Sequence, residues 1–134
     1  MKLLVDTHCW LWYLLAPEKL NADAQSLLRS DEHEVFLSTA SAWEMVIKHG
    51  LGKLRLPSPP DQYIPDRLAA LGHSSAPIEQ RHVLDLAQLP LHHRDPFDRV
   101  LVTQARLDGL RLVTADRQLK AYAVDLIWAG PGQP

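Results

Sequence analysis

Short apolar runs alternate along the whole chain with longer stretches of helical periodicity. Five runs have the length of a buried strand, at residues 2–5, 35–37, 76–78, 110–113 and 124–128. Helices are predicted between them, over residues 7–15, 21–28, 40–49, 62–71, 79–86, 97–108 and 118–122. Strands that alternate with helices predict an α/β fold with a mostly parallel five-stranded sheet.

The helix predicted over residues 40–49 has an apolar face of its own. Trp43, Val46 and Ile47 follow helical spacing and are predicted to face the core, with Glu44 at the margin of that face. The simplest interpretation of Glu44 is therefore a solvated glutamate near the positive end of a helix.

Composition and length describe an ordinary globular domain. The 134 residues suit one domain, predicted over residues 1–129, with residues 130–134 as a short flexible tail. One cysteine excludes an intrachain disulfide, and no apolar run is long enough for a membrane span. With no secretion signal recognisable at the N-terminus, a cytoplasmic protein is expected. The net charge of −2 excludes a broad basic surface for nucleic acid.

Two carboxylates follow apolar strands directly. Asp6 comes after the first strand, and Asp116 comes after the fourth. In open parallel sheets the binding crevice lies beyond the carboxyl ends of the strands, so both side chains can face one crevice. Each can instead be a simple helix N-cap, a common role for aspartate after a strand.

Asp98 and Glu44 complete a set of four candidate acids. Asp98 borders the apolar stripe of its helix in the first turn, whereas Asp95 precedes Pro96 and is interpreted as a cap or a supporting acid. Several convergent carboxylates cannot all stay ionised without a cation. Their hard oxygen atoms favour Mg²⁺ or Mn²⁺ over zinc.

Histidine and tryptophan give weaker signals. The pair His92 and His93 lacks the spacing of a zinc site, and it is interpreted as contacting phosphates or as part of a solvated loop. Four tryptophans are predicted to pack in the core or between helices, with base-stacking platforms as the alternative. They are Trp10, Trp12, Trp43 and Trp128.

Four sequence motifs in register resemble the PIN-domain ribonuclease family, and within it the VapC-type toxins of bacterial toxin–antitoxin systems. They are Val-Asp-Thr-His at 5–8 with Leu-Trp at 11–12, Ala-Trp-Glu-Met at 42–45 with Lys48 and Gly-Lys-Leu at 52–54, Arg-Asp-Pro-Phe-Asp-Arg at 94–99 with Gln-Ala at 104–105, and Leu-Val-Thr-Ala-Asp at 112–116. With the closing segment 122–128, the resemblance covers residues 2–129.

The resemblance implies a three-layer α/β/α sandwich and an endoribonuclease that depends on Mg²⁺ or Mn²⁺ and leaves a 5′-phosphate and a 3′-hydroxyl. It implies that metal-activated water cleaves RNA and that such toxins inhibit translation and growth. It also implies a homodimer and a cognate antitoxin. The four acids Asp6, Glu44, Asp98 and Asp116 match the family's catalytic, metal-binding positions. Supporting or substrate-contacting roles are expected for Thr7, Asp95, Arg99 and Thr114.

Two alternatives remain beside the toxin interpretation. The chain can be a non-catalytic module that binds RNA or protein, with the acids as structural caps, or a housekeeping PIN ribonuclease without an antitoxin. A phosphatase with an aspartate nucleophile is disfavoured, because that chemistry needs a second aspartate at position 8, which is His8.

Overall fold

The computed structural model describes residues 1–134, and its centre is a five-stranded sheet. The strands are β1 (Lys2–Val5), β2 (Glu34–Ser38), β3 (Ser74–Ala76), β4 (Arg111–Thr114) and β5 (Leu126–Trp128). Every neighbouring pair of strands is parallel. The predicted α/β fold is therefore confirmed.

Six α-helices lie between the first four strands, as crossovers between parallel strands require, and a 3-10 helix at Arg117–Ala121 joins β4 to β5. They are α1 (Thr7–Leu15), α2 (Ala22–Arg29), α3 (Thr39–Gly50), α4 (Pro60–Leu71), α5 (Gln80–Asp85) and α6 (Pro96–Asp108). Their ends follow local sequence signals. Asn21 caps α2 by accepting the Ala24 N–H at 2.8 Å, and Gly109 ends α6 in the left-handed conformation at φ 67°.

The strand order β3-β2-β1-β4-β5 puts the first strand at the middle of the sheet. The strands β2 and β3 lie on one side of β1, and β4 and β5, which follow later in the chain, lie on the other side. The order therefore reverses between β1 and β4, where Val5 partners Val113. A crevice opens beyond the carboxyl ends of the strands at such a reversal, and ligands of open α/β sheets bind there.

Two apolar clusters cover the two faces of the sheet. Because side chains alternate along a strand, Leu3 and Val5 of β1 join one cluster and Leu4 joins the other. Helices α1 and α2 pack in the first cluster, and α6 packs in the second. The result is three layers, with a sheet that is buried on both faces as parallel sheets require.

The third strand differs from its prediction at residues 76–78. It runs from Ser74 to Ala76, and Ser38 partners Ala76 at its end. Pro77 has no N–H to donate, so it cannot continue the ladder. Two serines at the exposed edge of the sheet carry no apolar signal, and the sequence pattern therefore missed the start of the strand.

The predicted apolar face of α3 was wrong. Trp43 is 60% exposed and Val46 is 52% exposed, whereas Glu44 and Met45 are buried. The helix packs through the side that carries Ala40, Met45 and Glu44, and it turns its bulkier residues outward. Helical spacing alone could not distinguish two adjacent faces that both carry apolar residues.

A buried glutamine fastens α6 to two strand ends. Gln104 Oε1 accepts the Ser38 hydroxyl at 2.6 Å, and Gln104 Nε2 donates to the carbonyls of Ala76 and Pro77, each at 3.2 Å. Gln104 is fully buried, so water cannot replace these partners. The bonds fix where α6 lies relative to the carboxyl edge of β2 and β3.

We expect Gln104→Ala to lower the free energy of unfolding by about 2–3 kcal/mol, because it leaves buried polar groups without partners and opens a small cavity. Urea denaturation followed by circular dichroism measures this loss. Gln62→Ala, at an exposed position of α4, is the matched control and should change the stability by less than about 0.5 kcal/mol. Equal stability of the two variants would contradict the proposed fastening role.

Candidate active site

Two of the predicted acids flank the reversal point of the sheet. Thr114 joins them, because its hydroxyl donates to Asp6 Oδ2 at 2.5 Å and accepts the Asp116 N–H at 3.0 Å. Asp6 Oδ1 accepts the Cys9 N–H at 2.7 Å, and Asp116 Oδ1 accepts the Gln118 N–H at 2.9 Å. Each aspartate thus caps a helical turn with one oxygen and keeps Oδ2 for other contacts. Asp6 and Asp116 are therefore both helix caps and neighbours at one crevice.

Glu44 lies almost completely buried on α3, with 2% of its surface exposed. Its Oε2 accepts a hydrogen bond from Lys48 Nζ at 2.6 Å, one helical turn later. Its Oε1 is buried and has no hydrogen-bond partner. A buried carboxylate oxygen without a partner is costly unless a further ligand reaches it.

Asp98 and Asp95 have different roles at the start of α6. Asp95 Oδ1 accepts the N–H groups of Phe97 at 2.8 Å and Asp98 at 3.4 Å, which makes Asp95 the N-cap of the helix. Asp98 is one turn further and half-buried. The geometry therefore separates a capping acid from an acid that is free to contact something in the crevice.

Burial raises the pKa of two of these carboxyls. The pKa of Asp98 is raised to about 7, first by burial and then by the negative charges of Asp95 and Asp6, with a smaller contribution from Glu44 and an opposing one from His93. The pKa of Asp6 is also raised, because its burial outweighs its hydrogen bonds from Thr114 and Cys9. The charges of Asp6 and Glu44 thus act on the pKa of Asp98, and these acids form one electrostatically coupled group.

His93 lies among the acids, which the sequence did not indicate. Its Nε2 is 2.8 Å from Asp116 Oδ2 and 3.3 Å from Asp98 Oδ2. Its Nδ1 accepts the Asp95 N–H at 3.0 Å, so the ring proton is on Nε2 and points at the carboxylates. His93 therefore acts as a hydrogen-bond donor that holds two acids together.

The other expected supporting residues lie around this group. Thr7 donates its hydroxyl to Ser41 at 2.8 Å, which ties the start of α1 to α3. Arg99 donates to the Leu89 carbonyl at 3.0 Å and so holds the loop that precedes α6. Thr114, by contrast, contacts Asp6 directly.

The donor set fits a divalent cation. Carboxylate oxygen atoms of Asp98 and Asp116 lie within 4.8 Å of one another, and His93 Nε2, which donates to both, lies within the same distance. The carboxylates supply the hard oxygen atoms that Mg²⁺ and Mn²⁺ prefer, and the unpartnered Glu44 Oε1 is a further oxygen of this kind. The raised pKa of Asp98 has the sign expected where acids are gathered for a cation.

A cavity of about 430 Å³ opens beside these acids. Asp6 and Asp116 line it together with His8, Trp12 and Arg117. The guanidinium of Arg117 and the ring of Trp12 therefore lie in the same cavity as the acids.

Sequence reasoning missed two residues of this site. His93 was interpreted as a phosphate contact or part of a solvated loop, although its position five residues before Asp98 could have indicated a contact across the helix start. Lys48 was noted only within a motif, although a lysine four residues after Glu44 is a common ion-pair spacing on a helix.

No helix of the structure has the length and apolar character that a membrane crossing needs.

Comparison with known proteins places the chain in a family. The PIN domain matches residues 3–125. Ribonuclease VapC16 of Mycobacterium tuberculosis is 35% identical to the chain over 68 residues, which are 51% of this chain and 48% of that protein. The chain thus aligns with about half the length of this relative.

Solved structures share the fold at low sequence identity. A structure of VapBC2 from Rickettsia felis bound to a promoter DNA fragment has a TM-score of 0.71 at 14% identity, covering 96% of this chain and 99% of the other. FitAcB from Neisseria gonorrhoeae has a TM-score of 0.63 at 20% identity, with 95% and 96% covered. With the sheet order, the acids at its reversal point and the match over residues 3–125, these findings show that the chain belongs to the PIN domain family.

Proposed function

We propose that the chain is an endoribonuclease that depends on Mg²⁺ or Mn²⁺ and is the toxin of a type II toxin–antitoxin pair. The observation that carries the proposal is the gathering of four acids, two of them buried and two half-buried, at the reversal point of the sheet. Asp6, Glu44, Asp98 and Asp116 are the proposed catalytic and metal-binding residues. The relative named as a ribonuclease and the fold shared with VapBC structures support the same activity.

All four acids have proposed roles in holding the metal ion. Asp98 and Asp116 would hold the cation, because His93 keeps their Oδ2 atoms close together. Asp6 and Glu44, which are buried, would supply further carboxylate ligands. The chemistry that a bound Mg²⁺ or Mn²⁺ supplies is the activation of water and the stabilisation of charge at a phosphodiester.

The remaining groups position the acids rather than move protons. Since Nε2 of His93 already carries its proton and Nδ1 accepts the Asp95 N–H, this ring is not set up as a general base. Thr114 orients Asp6, and Lys48 neutralises part of the charge on Glu44. Asp95 and Arg99 hold the start of α6, and Thr7 holds α1 against α3.

The partners follow from the same proposal. RNA is the substrate, and a cognate antitoxin is the inhibitor, in line with the toxin–antitoxin complexes that the similar structures represent. Such a toxin would act in the cytoplasm, where its RNA substrates are. The catalytic unit would comprise residues 1–129, with residues 130–134 as a tail.

A homodimer is also proposed, and an exposed apolar strip on α3 supports it. Trp43, Val46, Ile47 and Leu51 form this strip, and each is at least 39% exposed. An exposed patch of this kind marks an interaction surface in a soluble domain.

Replacing one proposed ligand should abolish cleavage and leave the fold intact. We expect Asp6→Asn and Asp98→Asn each to lower the rate of RNA cleavage in Mg²⁺ or Mn²⁺ by more than about a hundredfold. The asparagine oxygen at position 6 can still cap α1, so circular dichroism should be unchanged. Gel analysis of a labelled RNA, with mapping of the 5′-phosphate ends, measures the rate.

Asp66→Asn, at an exposed position of α4, is the control and should cut RNA like the wild type. A folded Asp6→Asn variant with the wild-type rate would contradict the assignment. The non-catalytic module would be favoured if the wild-type protein binds RNA but does not cut it and does not bind Mn²⁺ at millimolar concentration.

The raised pKa of Asp98 predicts a pH-dependent response to metal. Without metal, Asp98 stays protonated in the folded protein at pH values where the unfolded chain has already lost this proton. The contribution of the protonated Asp98 to folding stability is therefore complete below pH 3.8 and is lost as the pH rises through about 7. A divalent cation binds the ionised carboxylate. We therefore expect Mn²⁺ to raise the melting temperature more at a pH of ~8.5 than at ~5.5.

Asp98→Asn tests the cause of that response. Without metal at high pH the variant should melt above the wild type, because one buried charge is gone, and Mn²⁺ should stabilise it much less. Differential scanning fluorimetry with and without Mn²⁺ gives both quantities. Equal Mn²⁺ stabilisation at both pH values would contradict the role given to Asp98.

A charge on the α3 strip should separate the proposed dimer. We expect Val46→Lys to halve the mass measured by light scattering, because an ammonium group would be buried at the interface. Leu84→Lys, at an exposed apolar position of α5, is the control and should keep the wild-type mass. A monomeric wild type would exclude the dimer, and a dimeric Val46→Lys variant would exclude this interface.

A further inference from the structure

Trp12 of α1 lies where three neighbouring cavities meet. The cavity beside Asp6 and Asp116 shares Trp12 with two others, of about 350 and 420 Å³. The second extends toward Trp128 and the third toward Lys53. We call this continuous surface the Trp12 groove, and its defining side chains are His8, Trp12, Lys19, Lys53, Arg117 and Trp128.

A cation lies over each of the two tryptophan rings of the Trp12 groove. The ammonium of Lys19 lies 5.7 Å from the centre of the Trp12 ring, and the guanidinium of Arg117 lies 5.3 Å from the centre of the Trp128 ring. His8, which is exposed, lies beside Trp12 with ring centres 6.2 Å apart. Each of the two tryptophan rings thus has one cation close to it, and Trp12 also has a second ring beside it.

The Trp12 groove carries cations that are not paired with acids, although Asp6, Asp116 and Glu18 also line its cavities. Lys19, Lys53 and Arg117 form no ion pair, whereas Lys48 in the same wall is paired with Glu44. Glu18 is the acid that lines the groove away from the catalytic group. A chain with a net charge of −2 thus presents local positive charge directly beside its buried acids.

We propose that the Trp12 groove binds the single-stranded nucleotides next to the RNA bond that is cut. This inference rests on the proposed ribonuclease function and names the surface that holds its substrate. A base stacks on Trp12, and the neighbouring phosphates contact Lys19, Lys53 and Arg117. Aromatic platforms between cations are the general means of holding single-stranded nucleic acid without reading its sequence.

Continuity with the acids favours RNA as the occupant. Trp12 lines the same cavity as Asp6 and Asp116, so a strand whose phosphate reaches the acids must pass this ring. A duplex keeps its bases stacked on one another, and a single strand can place a base on tryptophan. The apolar floor of the third cavity, which includes Leu11 and Leu54, would suit a protein helix, but the unpaired cations favour a polyanion.

Binding and cleavage are measured separately. Binding is followed by fluorescence anisotropy of a labelled single-stranded RNA oligonucleotide in Mg²⁺, in an Asp98→Asn background that does not cut. We expect Trp12→Leu to weaken binding about tenfold and Trp12→Phe to weaken it much less, because phenylalanine keeps a stacking face. Melting temperatures of both variants are measured as well, because leucine and phenylalanine also differ in how well they fill the space of Trp12.

Lysine variants test the phosphate contacts. Lys19→Gln and Lys53→Gln should each weaken RNA binding and reduce the dependence of log affinity on log salt by about 0.7, the value for one phosphate contact on a single strand. Lys2→Gln is the matched control, because Lys2 lies at the amino end of β1, whereas Asp6 follows its carboxyl end, and it should leave both quantities unchanged.

The outcomes distinguish this proposal from the ribonuclease function. If the wild type cuts RNA and the Trp12 and lysine variants bind and cut it equally well, the groove proposal is overturned and the groove is left for a protein partner. If the wild type binds RNA through Trp12 and Lys19 but never cuts it, the groove proposal stands and the catalytic function fails.

Discussion

The parallel pairing of β1 with β4 is the constraint on which the rest of the site depends. It joins residues more than 100 positions apart in sequence and places the reversal point of the sheet between them. The Thr114 hydroxyl continues this pairing past the last ladder bond, because it contacts Asp6 on one side and the backbone of Asp116 on the other. Every other part of the site, including α3 with Glu44 and α6 with Asp98, packs around this pair.

Gathering acids in this way opposes folding unless something offsets their charge. Burial and mutual repulsion raise the pKa of Asp98, and Glu44 keeps one buried oxygen without a partner. The structure relieves part of this cost through hydrogen bonds from Thr114, Lys48 and His93. Function therefore depends on a local arrangement that is less stable than an apolar one would be, which is common where a binding site is built in advance of its ligand.

Much of the fold and the site could be predicted from the sequence because the signals are local. Apolar runs of strand length indicated β1 and β4, and the position of Asp6 and Asp116 directly after them indicated a shared crevice. Asp95 and Asp98 could be distinguished, because one precedes Pro96 and the other lies within the helix. These conclusions need only the periodicity of strands and helices and the topology rule for parallel sheets.

The parts that sequence could not predict depend on packing between distant elements. Which face of α3 is buried is decided by its neighbours in space, so Trp43 and Val46 were placed inward when they lie outward. The contact of His93 with Asp116 spans 23 residues and depends on how the loop before α6 folds back. The start of β3 was missed because its serines lie at a solvent-exposed edge, where apolar patterning is not required.

The central position of β1 determines when, during synthesis, the crevice can be completed. The strand β1 is synthesised before its neighbour β4, and more than 100 residues separate the two along the chain. An unfinished polypeptide can pair β1 with β2 and form α1 to α3, yet it still lacks one wall of the crevice. A nascent chain therefore lacks a complete crevice until residues 111–116 have been synthesised and β4 can pair with β1.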